Sequence, residues 1–527
     1  MIINELINKA IILAQSDKIE EAKGIFNNLL ENYPDSYIVL SAVGLFYVNI
    51  GDFNNASIYL NKACEIKETQ GTVSALGFCE FEKQEYKNAA IILERALTLG
   101  NSLEVYNKLI LSLLYIREFS KAFEYSKKML EIYPENKSSV LNYVKSAIQA
   151  GQLLDAEKIC VEFLKNNYET PELWMQLGFL KELIYLNNEQ ALQCFNIALD
   201  LGSKEANYNI AVSYQKMRDF DKAQSYYEKM LEYFPNDNDT QVSLAMSLLT
   251  QKNFKNGYEL FSKRKSLITD RAKKLWQKPQ KFEDDITVIC EQGFGDHIQF
   301  IRYLPLLKKR VKSLQVVAPE NLIKLFKTNY PDFDFITLKD FDVNKQALRI
   351  TDLAYALDMD FDNIPFSSGY LDSEKLEIES NKLKVGLCWE AGSAGIRTMI
   401  NRTMHINNFE KIINNENIQT YSFQVQDSFN GCENFPQMID LAKDFKDFSD
   451  TAKALKSMDV VITVDTAVAH LAGALGVKTY LLLPYSSDWR WFEDTKTTPW
   501  YDSVEIFKQP NALDWQTPIN EILLKLN

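Results

Sequence analysis

A small residue returns every 32 to 35 positions through the first half of this 527-residue chain: Ala22, Ala56, Ala89, Ala122, Ala156, Ala191, Ala223 and Gly257. Each ends a short polar stretch, such as DFNNA before Ala56 or DFDKA before Ala223. Four residues later stands a larger or apolar residue: Phe26, Leu60, Leu93, Cys160, Phe195, Tyr227 and Phe261, with Ser126 as the exception. Pro34, Pro134 and Pro235 each fall twelve residues after their alanine, where proline stops a helix. Gly44, Gly77 and Gly178 sit where two helices need a small residue to cross closely. Eight such periods predict stacked helix pairs, since one pair cannot bury its apolar face alone.

The period and residue types are those of tetratricopeptide repeats, which predicts a right-handed superhelix with a concave groove over residues 1–265. First-helix positions expected to face that groove are Asn8, Asn142, Asn209, Ala42, Ala75, Lys108 and Ser243. Two uses of the array stand open. It supports or oligomerises the second half of the chain, including as a homo-oligomer through the array ends, or its groove docks a protein partner.

Composition narrows the class. A formal charge of −13 argues against nucleic-acid binding, whose footprint is basic. Seven cysteines without a CxxC pair fit reduced thiols and a cytoplasmic protein. The N-terminus, amphipathic and carrying Glu5, does not read as a signal peptide. No apolar run approaches the ~18 residues of a membrane span. All three histidines, and five of the seven tryptophans, lie beyond residue 285, so side chains suited to chemistry and sugar stacking concentrate in the second half.

Residues 266–285 read as a charged connector, with Trp276 packing it against the next domain. From Ile286 the periodicity changes. The runs ITVIC, LQVVA and DFITL alternate with helical stretches, and a first half closes near residue 382. The second half, 383–527, opens with KVGLCWEAGSAG and continues through TYSFQV, DVVITV and TYLLLP. Two α/β halves in tandem, 286–382 and 383–527, describe two Rossmann-like domains with a cleft between them.

Both halves carry a strand, a loop and a helix. After ITVIC comes EQGFGDHIQF, where Gly293 and Gly295 flank the turn and Asp296 and His297 open a helix. After DVVITV comes DTAVAHLAGALG, where Asp465 or Thr466 can cap the helix. The N–H groups of Ala467 and Val468 are then left for an anion, with His470 one turn along. Aspartate is a weak base near neutrality unless its pKa is raised, so His297 competes with Asp296 as a proton acceptor, and simple helix capping by Asp296 is the third possibility. His470 reads either as a ligand contact or as a packing histidine bonded to a backbone carbonyl. Trp489, Trp491 and Trp500 read either as stacking platforms or as an aromatic plug. DMDFD matches DxD literally through Asp358, Asp360 and Asp362, and is read as surface loop.

The segments EQGFGDHIQFIRYLP, VDTAVAHLAGALGV and LLLPYSSDWRWFEDTKTTPWY resemble bacterial tetratricopeptide-linked glycosyltransferases of the GT-B fold. Their catalytic part is similar to heptosyltransferases and, more distantly, to O-GlcNAc transferases. FKNGYELFSKRK resembles the transition segment of that group. The resemblance implies transfer from a nucleotide-sugar to Ser or Thr hydroxyls of a protein docked by the repeats, flagellin being one acceptor type. It also implies inversion without a metal or other cofactor. By the same resemblance Asp296 matches the proposed base, and the donor side falls to Gly293, Gly295, Trp389, Glu390, Arg402, Asp465, Thr466, Ala467, His470 and Trp489. Gly392 lies at the same strand end as Trp389, for which core packing is the other reading. Arg402 and Thr403 fit an Asn-Asp-x-x-Arg-Ser-like run in which Met399 replaces the acidic residue, and Arg397 is the second phosphate candidate. The asparagine ladder of nuclear and cytosolic O-GlcNAc transferases is not reproduced in the array. The alternatives are a tetratricopeptide adaptor whose nucleotide-sugar domain is vestigial, and a heptosyltransferase-like enzyme acting on a glycolipid.

Overall fold

The structure, a computed structural model, describes residues 2–265, 274–276, 285–392, 402–425, 431–493 and 495–526. Arg397, Met399 and most of the expected connector lie outside them. The chain divides into two compact units, Met1–Ser203 and Lys204–Asn527.

The first unit is all helical, running from Ile2–Gln15 to Asn188–Asp200 in six pairs. The repeat alanines explain the pairing: Ala22, Ala56, Ala89, Ala122, Ala156 and Ala191 have no exposed surface. The first-helix glycines are holes for the residue four positions past the alanine. A Cβ on Gly44 would stand 2.6 Å from Leu60 Cγ, and one on Gly178 would stand 2.4 Å from Phe195 Cε1. Ser126, which breaks the apolar rule, is buried and bonded to Ser146 Oγ at 2.6 Å, so its hydroxyl is satisfied. A second periodic signal escaped the sequence reading. The turn inside each pair contains one left-handed residue, and these are Asp17, Gly51, Gln84, Arg117, Gly151, Leu186, Arg218 and Lys252. Only two are glycine, so the conformation that most often reveals a helix end carries no constant residue type here.

The second unit begins with the last two repeats, whose final helix is Phe254–Phe261. The sequence expects a boundary at 265, whereas the compact division falls after Ser203. The reason is packing: Leu249, Phe254 and Tyr258 belong to the same buried core as the α/β region.

Two sheets follow. The first contains β1 (Lys274–Trp276), β2 (Asp285–Ile289), β3 (Ser313–Val317), β4 (Asp334–Ile336) and β5 (Gln346–Arg349). They are all parallel, in the order β1-β5-β2-β3-β4. The second contains β6 (Leu383–Cys388), β7 (Ile418–Ser422), β8 (Ile439–Asp440), β9 (Val460–Val464), β10 (Thr479–Leu483), β11 (Thr497–Thr498) and β12 (Tyr501–Lys508). Its order is β11-β12-β10-β9-β6-β7-β8, parallel except for the short edge strand β11. From β8 to β12 this is the doubly wound 3-2-1-4-5-6 order. Alternate residues of the second sheet enter two cores. Val461, Leu481 and Leu483 join the core shared with Val288 and Val316 of the first sheet. Val385, Leu387, Val460, Ile462 and Leu482 fill the other face.

Candidate functional site

In open α/β sheets, strand order reverses at one point, and ligands bind beyond the carboxyl ends of the strands there. In the second sheet that point lies between β6 and β9, which pair from Val385 with Val460 to Cys388 with Thr463. Trp389 and Glu390 leave β6, and Asp465 and Thr466 leave β9. In the first sheet it lies between β2 and β5, where Glu291 and Thr351 emerge.

The crevice of the first sheet is filled by the chain itself. Arg264, three residues after the last repeat helix, is buried there. Its guanidinium donates to Asp352 Oδ1 at 2.6 Å and also bonds Glu291 and Thr351. Arg349 pairs with Asp352 at 2.5 Å. Burial opposes the charge on Arg264, but the two carboxylates outweigh it and keep the guanidinium protonated. From sequence, Arg264 belongs to the charged run SKRK that leads into the connector and is expected to be solvated; its burial departs from that expectation. Only the fold brings it to residues 27 and 88 positions away.

The two loop–helix motifs meet. Helix Phe294–Phe300 packs on helix Ala467–Ala474. Gly295 faces His470 so closely that a Cβ there would stand 2.8 Å from His470 Cδ2. The helix begins at Phe294, three residues before the start expected near His297, so Asp296 sits in its first turn and not at its cap. From there its Oδ2 accepts the backbone N–H of Gly293 at 3.0 Å, while Oδ1 is bonded by Arg490. Capping and ion pairing therefore both engage this carboxylate. His297 points inward and is buried; among the described residues neither ring nitrogen meets a partner at full hydrogen-bond geometry, the backbone of Glu291 being the polar group it approaches. Burial lowers its pKa against the pull of Asp296. The ring is thus enclosed beside Asp296, whereas the carboxylate of Asp296 lies at the turn, so of the two expected bases Asp296 is the nearer to solvent.

Arg490 is the central cation, and the sequence reading missed it. It donates to Gln299 Oε1 at 2.8 Å and to Asp488 Oδ1 at 2.7 Å, besides Asp296. Burial opposes its charge, but Asp296 and Asp488 raise its pKa further. Arg402 pairs with Asp465 at 3.1 Å. Burial raises the pKa of Asp465, with Arg402 acting against the shift. Asp488 is held low by Arg490, which overcomes its burial.

His470 is buried, and its Nδ1 lies 2.9 Å from the Tyr501 hydroxyl. Its ring stacks on Trp491 with centroids 5.1 Å apart. Burial, with Arg490 nearby, lowers its pKa to about 3, so the ring is neutral. Its Nε2 lies 4.0 Å from Asp465 Oδ1. The partner of Nδ1 is thus a tyrosine side chain, not the backbone carbonyl considered from sequence.

Other expected donor residues are placed differently. Thr466 holds the cap position of helix Ala467–Ala474 but makes no side-chain cap bond; its hydroxyl lies 3.1 Å from Thr463 Oγ1. Asp465 does not cap either, its carboxylate being turned to Arg402. Ala467 begins the helix, and its Cα is 3.7 Å from the place of a Gly295 Cβ. Gly293 is exposed at the turn, and Gly392 is exposed past β6. Trp389 is a core residue packed with Val385 and Met404, which removes it from the ligand surface. Glu390 is half-buried, its N–H held by Gln424 Oε1 at 2.9 Å.

Trp489 and Trp500 form the aromatic plug. Both are buried, and they pack edge-on to each other and against Phe254 of the last repeat. Trp489 therefore has no face free for a sugar, and its donor assignment is corrected: the aromatic area needed to bury the last repeat consumed it. Asp360 caps a short 3-10 turn at Phe361–Asn363, consistent with a surface loop. Among the described residues no cluster of three metal-ligating side chains occurs. No described helix is long and apolar enough to cross a membrane. In the array, Asn142 donates to Asn107 Oδ1 at 2.6 Å and is buried, so it is a packing residue, not an open groove position.

Comparison with known proteins bears on the repeats. Tetratricopeptide repeat models match residues 6–36, 39–70 and 204–237. No curated protein matches the sequence. Solved structures similar to the chain include YrrB, a tetratricopeptide protein with an unusual peptide-binding site, at 17% identity and a TM-score of 0.31, covering 34% of this chain and 92% of that one. A thermophilic tetratricopeptide protein of Thermus thermophilus matches at 23% identity and a TM-score of 0.31, covering 34% and 100%. One from Parabacteroides merdae matches at 14% identity and a TM-score of 0.39, covering 46% and 98%. The first half of the chain is an array of tetratricopeptide repeats, followed by two largely parallel sheets.

Proposed function

We propose that the two sheets are the halves of a GT-B glycosyltransferase that moves a sugar from a nucleotide-sugar to a Ser or Thr hydroxyl of a protein held by the repeats. The observation that carries this reading is the contact of Gly295 with His470. It joins the loop–helix motifs of two doubly wound sheets, each at its carboxyl edge. The acceptor oxygen attacks the anomeric carbon as the bond to the nucleotide phosphate breaks, and Asp296 takes the proton. Such a base contributes about 10²–10⁴-fold. The leaving phosphate carries the negative charge to the start of helix Ala467–Ala474 and to Arg402. Arg402 and Arg490 both face carboxylates. Ligand binding must therefore loosen Arg490 from Asp296, because a carboxylate oxygen already bonded to a guanidinium is not free to take a proton. Protein binding is the role that tetratricopeptide repeats themselves suggest, and the acceptor falls to the array on that ground. Flagellin stays within this reading as one acceptor class.

A second reading is favoured by the same pairing of charges and by family matches confined to the repeats. In it, the chain is a protein-binding adaptor and the α/β region has no turnover. Incubation of the full chain with nucleotide-sugars and candidate acceptor proteins separates the two. Release of nucleoside diphosphate coupled to acceptor labelling, lost in Asp296→Ala, supports the enzyme. Acceptor binding without release from any donor supports the adaptor.

A further inference from the structure

His470 has one defined partner, and that partner decides which nitrogen carries its proton. Tyr501, the first residue of β12, places its hydroxyl 2.9 Å from His470 Nδ1. Both groups are buried, so each polar hydrogen needs an acceptor within the protein. The Tyr501 proton has few places to go. The neighbouring Arg302 guanidinium lies 4.8 Å from the Tyr501 ring and is a donor only. The Tyr370 hydroxyl, beside the same ring, gives its proton to the Ile298 carbonyl at 2.7 Å, and its oxygen receives Arg302 Nη2 at 3.2 Å. Tyr370 also interacts with the Tyr501 hydroxyl, so the choice of His470 Nδ1 as acceptor rests on its 2.9 Å separation and on the far side of the ring. The ring proton then belongs on Nε2.

The other side of the ring agrees. Nε2 lies 4.0 Å from Asp465 Oδ1. An N–H directed toward a carboxylate is electrostatically favoured over a lone pair directed toward it. At that distance the N–H is not consumed by a direct hydrogen bond, whose limit is nearer ~3.2 Å. Gly295, lacking a side chain, lets the backbone of the first motif approach this edge of the ring, where a Cβ would lie 3.4 Å from Nε2. The Trp491 stack fixes the plane of the ring. The charged groups around it, Arg490, Asp296, Asp488 and Arg302, leave it neutral because burial dominates.

We propose that Tyr501 is a positioning residue that locks His470 in the neutral Nε2–H tautomer, presenting a single N–H donor beside Asp465 to an oxygen of the bound ligand. With the function proposed above, on which the ligand class rests, that oxygen belongs to the diphosphate of a nucleotide-sugar. A neutral donor suits this place, because it adds no charge that a departing diphosphate must drag through a buried cluster.

The chain has three histidines, so ring ¹⁵N spectra of selectively labelled full-length protein are resolvable, and loss of one set in His470→Gln assigns it. The expected wild-type pattern is a pyrrole-type Nε2 and a pyridine-type Nδ1 shifted by hydrogen bonding. In Tyr501→Phe the Nδ1 signal moves toward an unbonded value and the other tautomer becomes populated. A wild-type Nδ1–H pattern overturns the proposal, and so does an unchanged spectrum in Tyr501→Phe. The wild-type measurement stands even where the variant does not fold. Titration of wild type with UDP, ADP, GDP or CMP then tests the ligand: movement of Nε2 supports it. The expected tautomer with no response to any of the four upholds the role of Tyr501 and overturns the nucleotide reading.

Discussion

Arg490 closes on Asp296 from a different sheet, joining the first helix after β2 to the segment after β10. The two residues are 194 positions apart. Arg490 also holds Gln299 and Asp488, so it ties the carboxylate expected to act as base to both flanks of the site. Removing one partner of such a mostly buried pair leaves a charge without compensation. Arg490→Met is expected to destabilise the second unit by roughly 3–5 kcal/mol. Asp296→Asn keeps the Gly293 contact possible and should cost less. Urea denaturation of the two variants and their double mutant measures the coupling, and equal, additive losses would contradict it.

Gly295→Ala tests the convergence of the two motifs. Alanine is the better helix former by about 1 kcal/mol, so an open site would gain stability. Here the new methyl meets the His470 ring, which Tyr501 and Trp491 hold in place. Overpacking of this kind costs about 1–3 kcal/mol, so the net effect should be destabilising. A melting temperature raised by the substitution would show that the ring has room to move.

Acid should weaken the second unit through its buried histidines. The folded pKa of His470, about 3, lies below its ordinary 6.5, and burial lowers His297 in the same direction. Below pH 6.5 the unfolded chain binds protons that the folded chain excludes. The contribution of His470 is thus complete above pH 6.5 and is lost as the pH falls toward about 3. Its slope is at most ~1.4 kcal/mol per pH unit. His470→Gln should flatten this limb in denaturation series across that range.

Arg264 should act as a latch between the last repeat and the loop at Glu291. Arg264→Met strands Glu291 in the interior without a cation and leaves Asp352 with Arg349 alone, at a cost of roughly 3–5 kcal/mol. Phe254→Ala opens a cavity among Trp489, Phe492 and Trp500 with a similar cost of about 3–5 kcal/mol. Urea denaturation of both variants should show these losses, and stability equal to the wild type in either would contradict the latch.

Local pattern made most of the fold legible. The repeat alanines, the prolines and the runs ITVIC, LQVVA, DVVITV and TYLLLP each declare an element whose period or burial is visible in a short window, and the helices and strands lie there. Strand β12 was not visible, because YDSVEIFK mixes charged and apolar residues as an edge-side strand does and follows a tryptophan-rich stretch that suggested a plug. The site was legible in part. Asp296, Asp465 and His470 are brought to one place, as their motifs suggest, and Arg402 reaches Asp465. Arg490 and Arg264 were not read, because their partners are set by packing between distant segments. From sequence, Trp389 and Trp489 stand open between ligand contact and packing for a related reason: an aromatic near a strand end reads alike whether it faces a ligand or fills a core.

The central claim is that the α/β region binds an activated sugar and transfers it. Thermal unfolding of the full chain with UDP, ADP, GDP and CMP, alongside Arg402→Gln, tests it most directly. Saturation at about 100 times Kd should stabilise the wild type by roughly 2.7 kcal/mol for one nucleotide class, with the effect lost in the variant. No stabilisation by any nucleotide, in a chain that still binds an acceptor protein, would contradict the enzyme and leave the adaptor.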